Sequence, residues 1–257
     1  MSTVLITGAS GGIGYELAKL FARDRHNLVL VARSSDKLTQ VATDLRALGV
    51  TVKIVALDLA APGAAKVLFE QLRNENIAVD ILINNAGFGA FGEFAQMSND
   101  EILGQIQLNI IGLTELTRLF LPAMLARHSG RVMNVASTAG FQPGPLMAVY
   151  YATKAYVISF TEAIANEVRK SGVTVTCFCP GATHTGFATR AGNDKARLFK
   201  HAAMNVERVA RDGYHAVMAG RGLAISGAHN WIVAESTRFA PRKLVTAISR
   251  WVSEPTP

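Results

Sequence analysis

Short β-branched runs alternate with helix-length segments along most of the chain, and no other feature restricts the possible folds as much. Residues 4–7, 27–32, 51–57, 80–84, 131–136 and 173–178 read as six strands, with a weaker seventh at 223–226. Several of these runs are apolar at nearly every position, the pattern of a strand covered on both faces by helices. Strands joined through helices form parallel sheets by right-handed crossovers. The expectation is therefore an α/β fold, a three-layer doubly wound parallel sheet of about seven strands.

The chain has 257 residues, 49% of them hydrophobic. A core of that size folds without metal or disulfide, so one domain over 1–257 suffices. No metal site is expected. Cys177 and Cys179 stand two apart on a predicted strand, where their side chains share a face but diverge from bridging geometry. The net charge of +7 points to an anionic partner. Because the basic residues are dispersed without interleaved aromatics, that partner is read as a small anion and not nucleic acid. No uninterrupted apolar run approaches the ~18–20 residues of a membrane span, and residues 1–5 lack the charged start of a secretory signal. A cytoplasmic protein is expected. After Pro180 the pattern degrades, and 182–205 reads either as a flap over a ligand or as an ordinary surface helix pair.

Directly after the first strand comes Thr7-Gly8-Ala9-Ser10-Gly11-Gly12-Ile13-Gly14, followed by a helical apolar pattern. Glycines at a strand-to-helix turn let backbone approach a ligand, and the positive helix end favours a pyrophosphate. A site for NAD places Asp or Glu at the end of the second strand. Arg33 stands there instead, and Arg33, Ser34 and Lys37 are suited to an extra 2′-phosphate, so NADP(H) is the expected cofactor.

Gly8, Gly12 and Gly14 follow a G-x-x-x-G-x-G spacing, and this TGxxxGxG form resembles the short-chain dehydrogenase/reductase family. The resemblance implies a Rossmann fold in which Gly8, Ser10, Gly11, Gly12, Ile13 and Gly14 cradle the pyrophosphate. It makes Asp58 an acceptor for the adenine amino group, with Leu59 beside the ring; the residue type fits a helix N-cap equally well. Asn84-Asn85-Ala86-Gly87 matches the NNAG element, in which Asn85, Ala86 and Gly87 border the adenosine and steady the sheet.

Ser137 follows the fifth strand, and Tyr150 and Lys154, four apart, share one helical face. Reducing a ketone by hydride requires a proton for the developing alkoxide, and a phenol beside a cation supplies one. Tyr151, three residues before Lys154, competes on spacing alone. The family resemblance selects Tyr150 as acid/base, with Ser137 holding the substrate oxygen and Lys154 binding the nicotinamide ribose and tuning Tyr150. It adds Asn109 as holder of a proton-relaying water. Cys179-Pro180-Gly181-Ala182-Thr183-His184-Thr185 is similar to the family's PGxxxT element, so Pro180, Gly181, Thr183 and Thr185 are expected around the nicotinamide.

Phe88, Phe141, Pro145, Leu146 and Phe187, with Phe91, Pro143 and Met147 nearby, are the candidate substrate contacts. Nearly all apolar, they suggest a lipophilic ketone or alcohol. The tail 241–252 is an amphipathic pattern that covers its own domain, docks on a second subunit or lies on a lipid surface as a peripheral contact. The resemblance implies a homodimer or homotetramer. The reading is an NADP(H)-dependent oxidoreductase, a carbonyl reductase reversible as an alcohol dehydrogenase. The alternative is a non-catalytic NADP(H)-sensing regulator, against which the presence of both Tyr150 and Lys154 counts.

Overall fold

The computed structural model describes residues 1–255, with side chains at all of them except 200 and 201; the last two residues of the expected domain lie outside the described residues. Seven strands, β1 (Thr3–Thr7), β2 (Asn27–Ala32), β3 (Val52–Ala56), β4 (Ile81–Asn84), β5 (Gly130–Val135), β6 (Val173–Cys179) and β7 (Leu223–Ile225), form one sheet in the order β3-β2-β1-β4-β5-β6-β7. Every pairing is parallel. The winding direction reverses between β1 and β4, and in such a sheet the crevice beyond the strand ends at that point is where ligands bind.

The helices are α1 (Gly12–Arg23), α2 (Ser35–Arg46), α3 (Ala64–Asn74), α4 (Asn99–Ile106), α5 (Leu113–Ala126), α6 (Ala148–Glu167), α7 (Phe187–Ala191), α8 (Arg197–Ala202), α9 (Val206–Met218), α10 (Ala228–Ser236) and α11 (Arg242–Ser253). On one face of the sheet, Leu17 and Phe21 of α1, Leu38 and Leu45 of α2 and Val209 and Val217 of α9 pack on Val4, Ile6, Leu28 and Leu30. On the other, Leu68 and Leu72 of α3 and Leu116, Phe120 and Met124 of α5 pack on Leu5, Leu82 and Val132. Fully burying each such side chain stabilises the fold by roughly 1.5–3 kcal/mol. The continuous apolar runs of the sequence arise because both faces are covered.

α4 and α5 form one continuous helical stretch, Asn99–Ala126, whose length and composition alone would let it cross a bilayer. Here Leu116, Phe120 and Met124 are sealed against the sheet, as in a core helix. A π-helical turn, Gln107–Gly112, joins its two parts. A polar ladder crosses the core beside it: Asn84 Nδ2 donates to Thr117 Oγ1 (3.1 Å) and Asn134 Oδ1 (2.9 Å), and Asn134 Nδ2 donates to Thr161 Oγ1 (3.0 Å). This ladder stitches α5, β4, β5 and α6 together. Cys177 and Cys179 are free and buried with sulfurs 3.7 Å apart. Their mutual hydrogen bond and burial push the Cys179 thiol well up, so it stays protonated.

The tail differs in part from the covering role. Val245, Ser249 and Ser253 of α11 face inward, while Leu244, Ile248 and Trp251 are each more than half exposed. The smaller side chains dock the helix and the bulky ones remain open.

Candidate active site

The glycine turn is pinned to the end of β4 before it reaches any ligand. Thr7 Oγ1 accepts the N–H groups of Asn85 (3.0 Å) and Ala86 (2.9 Å), and Asn85 Nδ2 donates to the carbonyls of Thr7 (2.9 Å) and Gly8 (3.3 Å). Gly8 (φ +67°) and Gly12 (φ +55°) take the left-handed conformation that strains other residues. Gly11 precedes α1, no side chain caps that helix, and a Cβ on Gly11 would meet nothing within 4 Å. An uncapped helix start opening on free space presents backbone donors and the positive dipole end to an anion. This cradle fits a dinucleotide pyrophosphate.

The turn opens on a cavity of about 1050 Å³, at the upper end of the range for small-molecule and cofactor sites. Its wall contains Gly8, Ser10, Gly11, Gly12, Ile13, Arg33, Ser34, Lys37, Asp58, Leu59, Asn85, Ala86, Gly87, Ser137, Tyr150, Lys154, Pro180, Gly181, Thr183 and Thr185. Residues from across the sequence thus meet at one strand-end crevice. Gly14 faces away: a Cβ there would stand 2.4 Å from the Gly8 carbonyl oxygen, so this glycine serves the close packing of turn on helix.

Ser137 Oγ accepts from Ala139 N (3.1 Å) and donates to the Pro180 carbonyl over a long 3.3 Å. Tyr150 lies in the first turn of α6, its ring 5.1 Å from that of Phe187. Burial raises its phenol above the ordinary value, and a hydrogen bond with Ser137 acts in the opposite sense. Lys154 is buried one turn along; its Nζ donates to the Val135 carbonyl (2.8 Å) and lies 5.7 Å from the centre of the Tyr150 ring. Desolvation pushes Lys154 down to about 8. Tyr151 borders the same cavity but is the more enclosed of the two, 5% exposed and packed closely on Gly144.

Asn109 sits behind the cavity wall, in the π-helical turn. Its Oδ1 accepts from Phe88 N (3.1 Å), and its Nδ2 donates to the Phe88 carbonyl (2.9 Å) and to Thr153 Oγ1 (3.1 Å). Gly87 intervenes, since a Cβ there would lie 3.0 Å from Asn109 Oδ1 and 3.5 Å from Lys154 Nζ. Asp58 does not cap a helix, since α3 is preceded by Gly63; its Oδ1 accepts from Ala60 N (3.0 Å) in a local turn at the cavity wall. Ser34 caps α2 with a long 3.4 Å contact from Lys37 N.

Among the candidate substrate contacts, Phe88, Met147 and Phe187 line the cavity, whereas Phe141, Pro145 and Leu146, with Phe91 and Pro143, stand outside its wall. Phe141 packs on the core of Val157 and Ile158. Leu146 adopts φ +67° and its carbonyl accepts from Gly92 N (2.8 Å), while Gln142 of the same loop borders the cavity. Sequence reasoning missed the opposite wall, formed by Phe199 of α8, Val233 of α10 and Ile248 and Trp251 of α11. It also missed Arg190 of α7, whose guanidinium lies 4.4 Å over the Phe88 ring. The 182–205 segment is a two-helix excursion closed at its base by a bridge between Thr183 and Met204.

Comparison with known proteins agrees with this geometry. Residues 2–196 match the family model described as short chain dehydrogenase. The ketoacyl reductase HetN of Nostoc sp. is 37% identical over 179 residues, which cover 70% of this chain and 62% of that relative. A short-chain dehydrogenase from Sphingobium yanoikuyae in complex with NADPH is 34% identical, with a TM-score of 0.84 over 93% of this chain and 94% of the other. The bulky-bulky ketone specific alcohol dehydrogenase from Comamonas testosteroni is 29% identical, with a TM-score of 0.79 over 93% of this chain and 92% of the other. A sequence match running from the first strand into the 182–205 segment, on a backbone that superposes over nearly its whole length, places the chain in the short-chain dehydrogenase/reductase family, as an oxidoreductase.

Proposed function

We propose that the protein is an NADP(H)-dependent reductase of lipophilic ketones, reversible as a secondary-alcohol dehydrogenase. The observation that carries this reading is the meeting of Ser137, Tyr150 and Lys154 in the same cavity as an uncapped glycine turn and Arg33. Bound NADPH supplies the hydride for the carbonyl carbon. Ser137, whose bond to Pro180 is long, turns its hydroxyl to the substrate oxygen. Tyr150 gives its proton to that oxygen as the carbonyl is reduced. The Lys154 ammonium, steadied by the Val135 carbonyl, offsets the phenolate left behind. Burial keeps Tyr150 protonated at neutral pH, which is the state reduction requires.

The cofactor preference rests on Arg33, with Ser34 and Lys37 beside it, where an NAD site carries an acid. The Sphingobium yanoikuyae relative binds NADPH. Phe88, Met147, Phe187, Val233, Ile248 and Trp251 make much of the remaining wall apolar, which suits a bulky hydrophobic carbonyl compound and agrees with the ketone named for the Comamonas testosteroni enzyme. Asn109 acts by holding the Phe88 backbone beside the lysine. Pairing of two copies through α4 to α6 is supported by the exposed Leu103, Ile111 and Tyr156, and light scattering at the mass of a monomer would contradict it.

The direct test is an absorbance screen of ketones and alcohols with both nicotinamide cofactors. Turnover of hydrophobic ketones with NADPH ahead of NADH is expected. Tight NADPH binding without turnover across a broad carbonyl panel would overturn the catalytic reading.

A further inference from the structure

We propose that Arg190, on the flap, closes over the 2′-phosphate end of the bound dinucleotide from the side opposite Arg33, so that flap closure reads the cofactor's phosphate. This rests on the NADP(H) reading and extends it with a phosphate ligand from the 182–205 segment, of which the sequence placed only Thr183 and Thr185 at the cofactor, beside the nicotinamide.

Three observations carry it. The flap is built across the cleft: its start touches the glycine turn, where Thr185 Cγ2 lies 3.3 Å from the position of a Cβ on Gly12. The end of α7 is tied to the loop after β4 by the bond from Phe91 N to the Ala191 carbonyl (2.9 Å). Arg190 therefore projects from a strap anchored on both walls. Second, its guanidinium stacks on Phe88 at 4.4 Å, next to Ala86 and Gly87, and borders the same cavity as Arg33, Lys37 and Asp58.

Third, cations outnumber carboxylates around it, with Arg33, Lys37 and Arg190 on the wall against Asp58. Among the described residues, neither Arg190 nor Arg33 takes part in an ion pair. Burial lowers the pKa of Arg190, the Arg33 cation lowers it further, and Asp58 opposes them. Two guanidinium groups that border one cleft repel until an anion enters, and a phosphate monoester near −2 suits a pair of planar, bidentate donors. The Phe88 ring fixes the plane of Arg190 in advance, which reduces the ordering cost of that contact.

The test measures NADPH and NADH dissociation constants for the full-length protein and for Arg190→Met and Arg33→Met. Methionine keeps the length and the contact with Phe88 while removing the charge. Arg190→Met should weaken NADPH about tenfold, the scale of one lost charge-assisted contact, and leave NADH unchanged. Hydrogen exchange in 187–199 should slow more with NADPH than with NADH in the unaltered protein, and equally with both in Arg190→Met. Equal weakening of both nucleotides, or no weakening, would overturn the clamp. If Arg33→Met abolishes the NADPH preference while Arg190→Met preserves it, the clamp fails and the cofactor reading stands. A wild-type protein without any preference removes both.

Discussion

Burial leaves Tyr150 a phenol and Lys154 a weakened base in the same cavity, and the two shifts have different consequences. For Tyr150 the raised pKa keeps the phenol protonated, as the proposed proton transfer requires. For Lys154 the shift from an ordinary value of 10.5 to about 8 is a stability statement. Between those two values the unfolded chain binds more protons than the folded one, so the fold gains stability as pH rises through that window. Below about 8 both states are charged and the full cost of burying the ammonium applies. Relative to Lys154→Met, the wild type should gain on the order of 1 kcal/mol between pH 7 and pH 9, measured by paired urea titrations; a constant difference would contradict the burial argument. The Tyr-x-x-x-Lys spacing was legible in the sequence. The choice of Tyr150 over Tyr151 rests on the family spacing, since both rings border the cavity, and Arg190 was hidden because it is one dispersed cation among many.

The seven strands followed from their β-branched runs, with end shifts of at most one residue, because covering both faces leaves an unmistakable apolar signature. The π-helical turn at Gln107–Gly112 was not legible, since helical periodicity continues on either side of it. Phe141, Pro143, Pro145 and Leu146 stand outside the cavity wall for a related reason: apolar residues suit a pocket or a core equally, and only tertiary packing decides. The glycine turn is the element with the sharpest mechanical prediction. Gly14→Ala places a methyl 2.4 Å from the Gly8 carbonyl oxygen and 2.6 Å from Asn85 Nδ2, so α1 must shift. A loss of roughly 1–3 kcal/mol is expected from such overpacking, accompanied by weaker dinucleotide binding. Unchanged melting and unchanged NADPH affinity would show that the turn is looser than described.

Across the whole molecule, the sheet's strand ends supply the floor and α7, α8, α10 and α11 supply the roof. The far wall comes from sequence more than a hundred residues beyond the glycine turn, which is why local motifs did not disclose it. Trp251 lines the cavity and also stacks on Arg197 at 5.0 Å while remaining 59% exposed. Trp251→Ala should raise KM for bulky ketones several-fold, through lost apolar burial of ~1–2 kcal/mol, and leave NADPH affinity unaltered. An equal effect on the smallest accepted ketone would show that the tail supports the fold without forming the substrate wall.

The central claim is that the Tyr150 hydroxyl delivers the proton. Single-turnover reduction of the best ketone by enzyme saturated with NADPH tests it, comparing Tyr150→Phe and Tyr151→Phe with the unaltered protein. Tyr150→Phe should be slower by roughly 100- to 10,000-fold at unchanged NADPH affinity, with Tyr151→Phe within a few-fold of the wild type. Full-rate reduction by Tyr150→Phe, together with its loss in Tyr151→Phe, would contradict it.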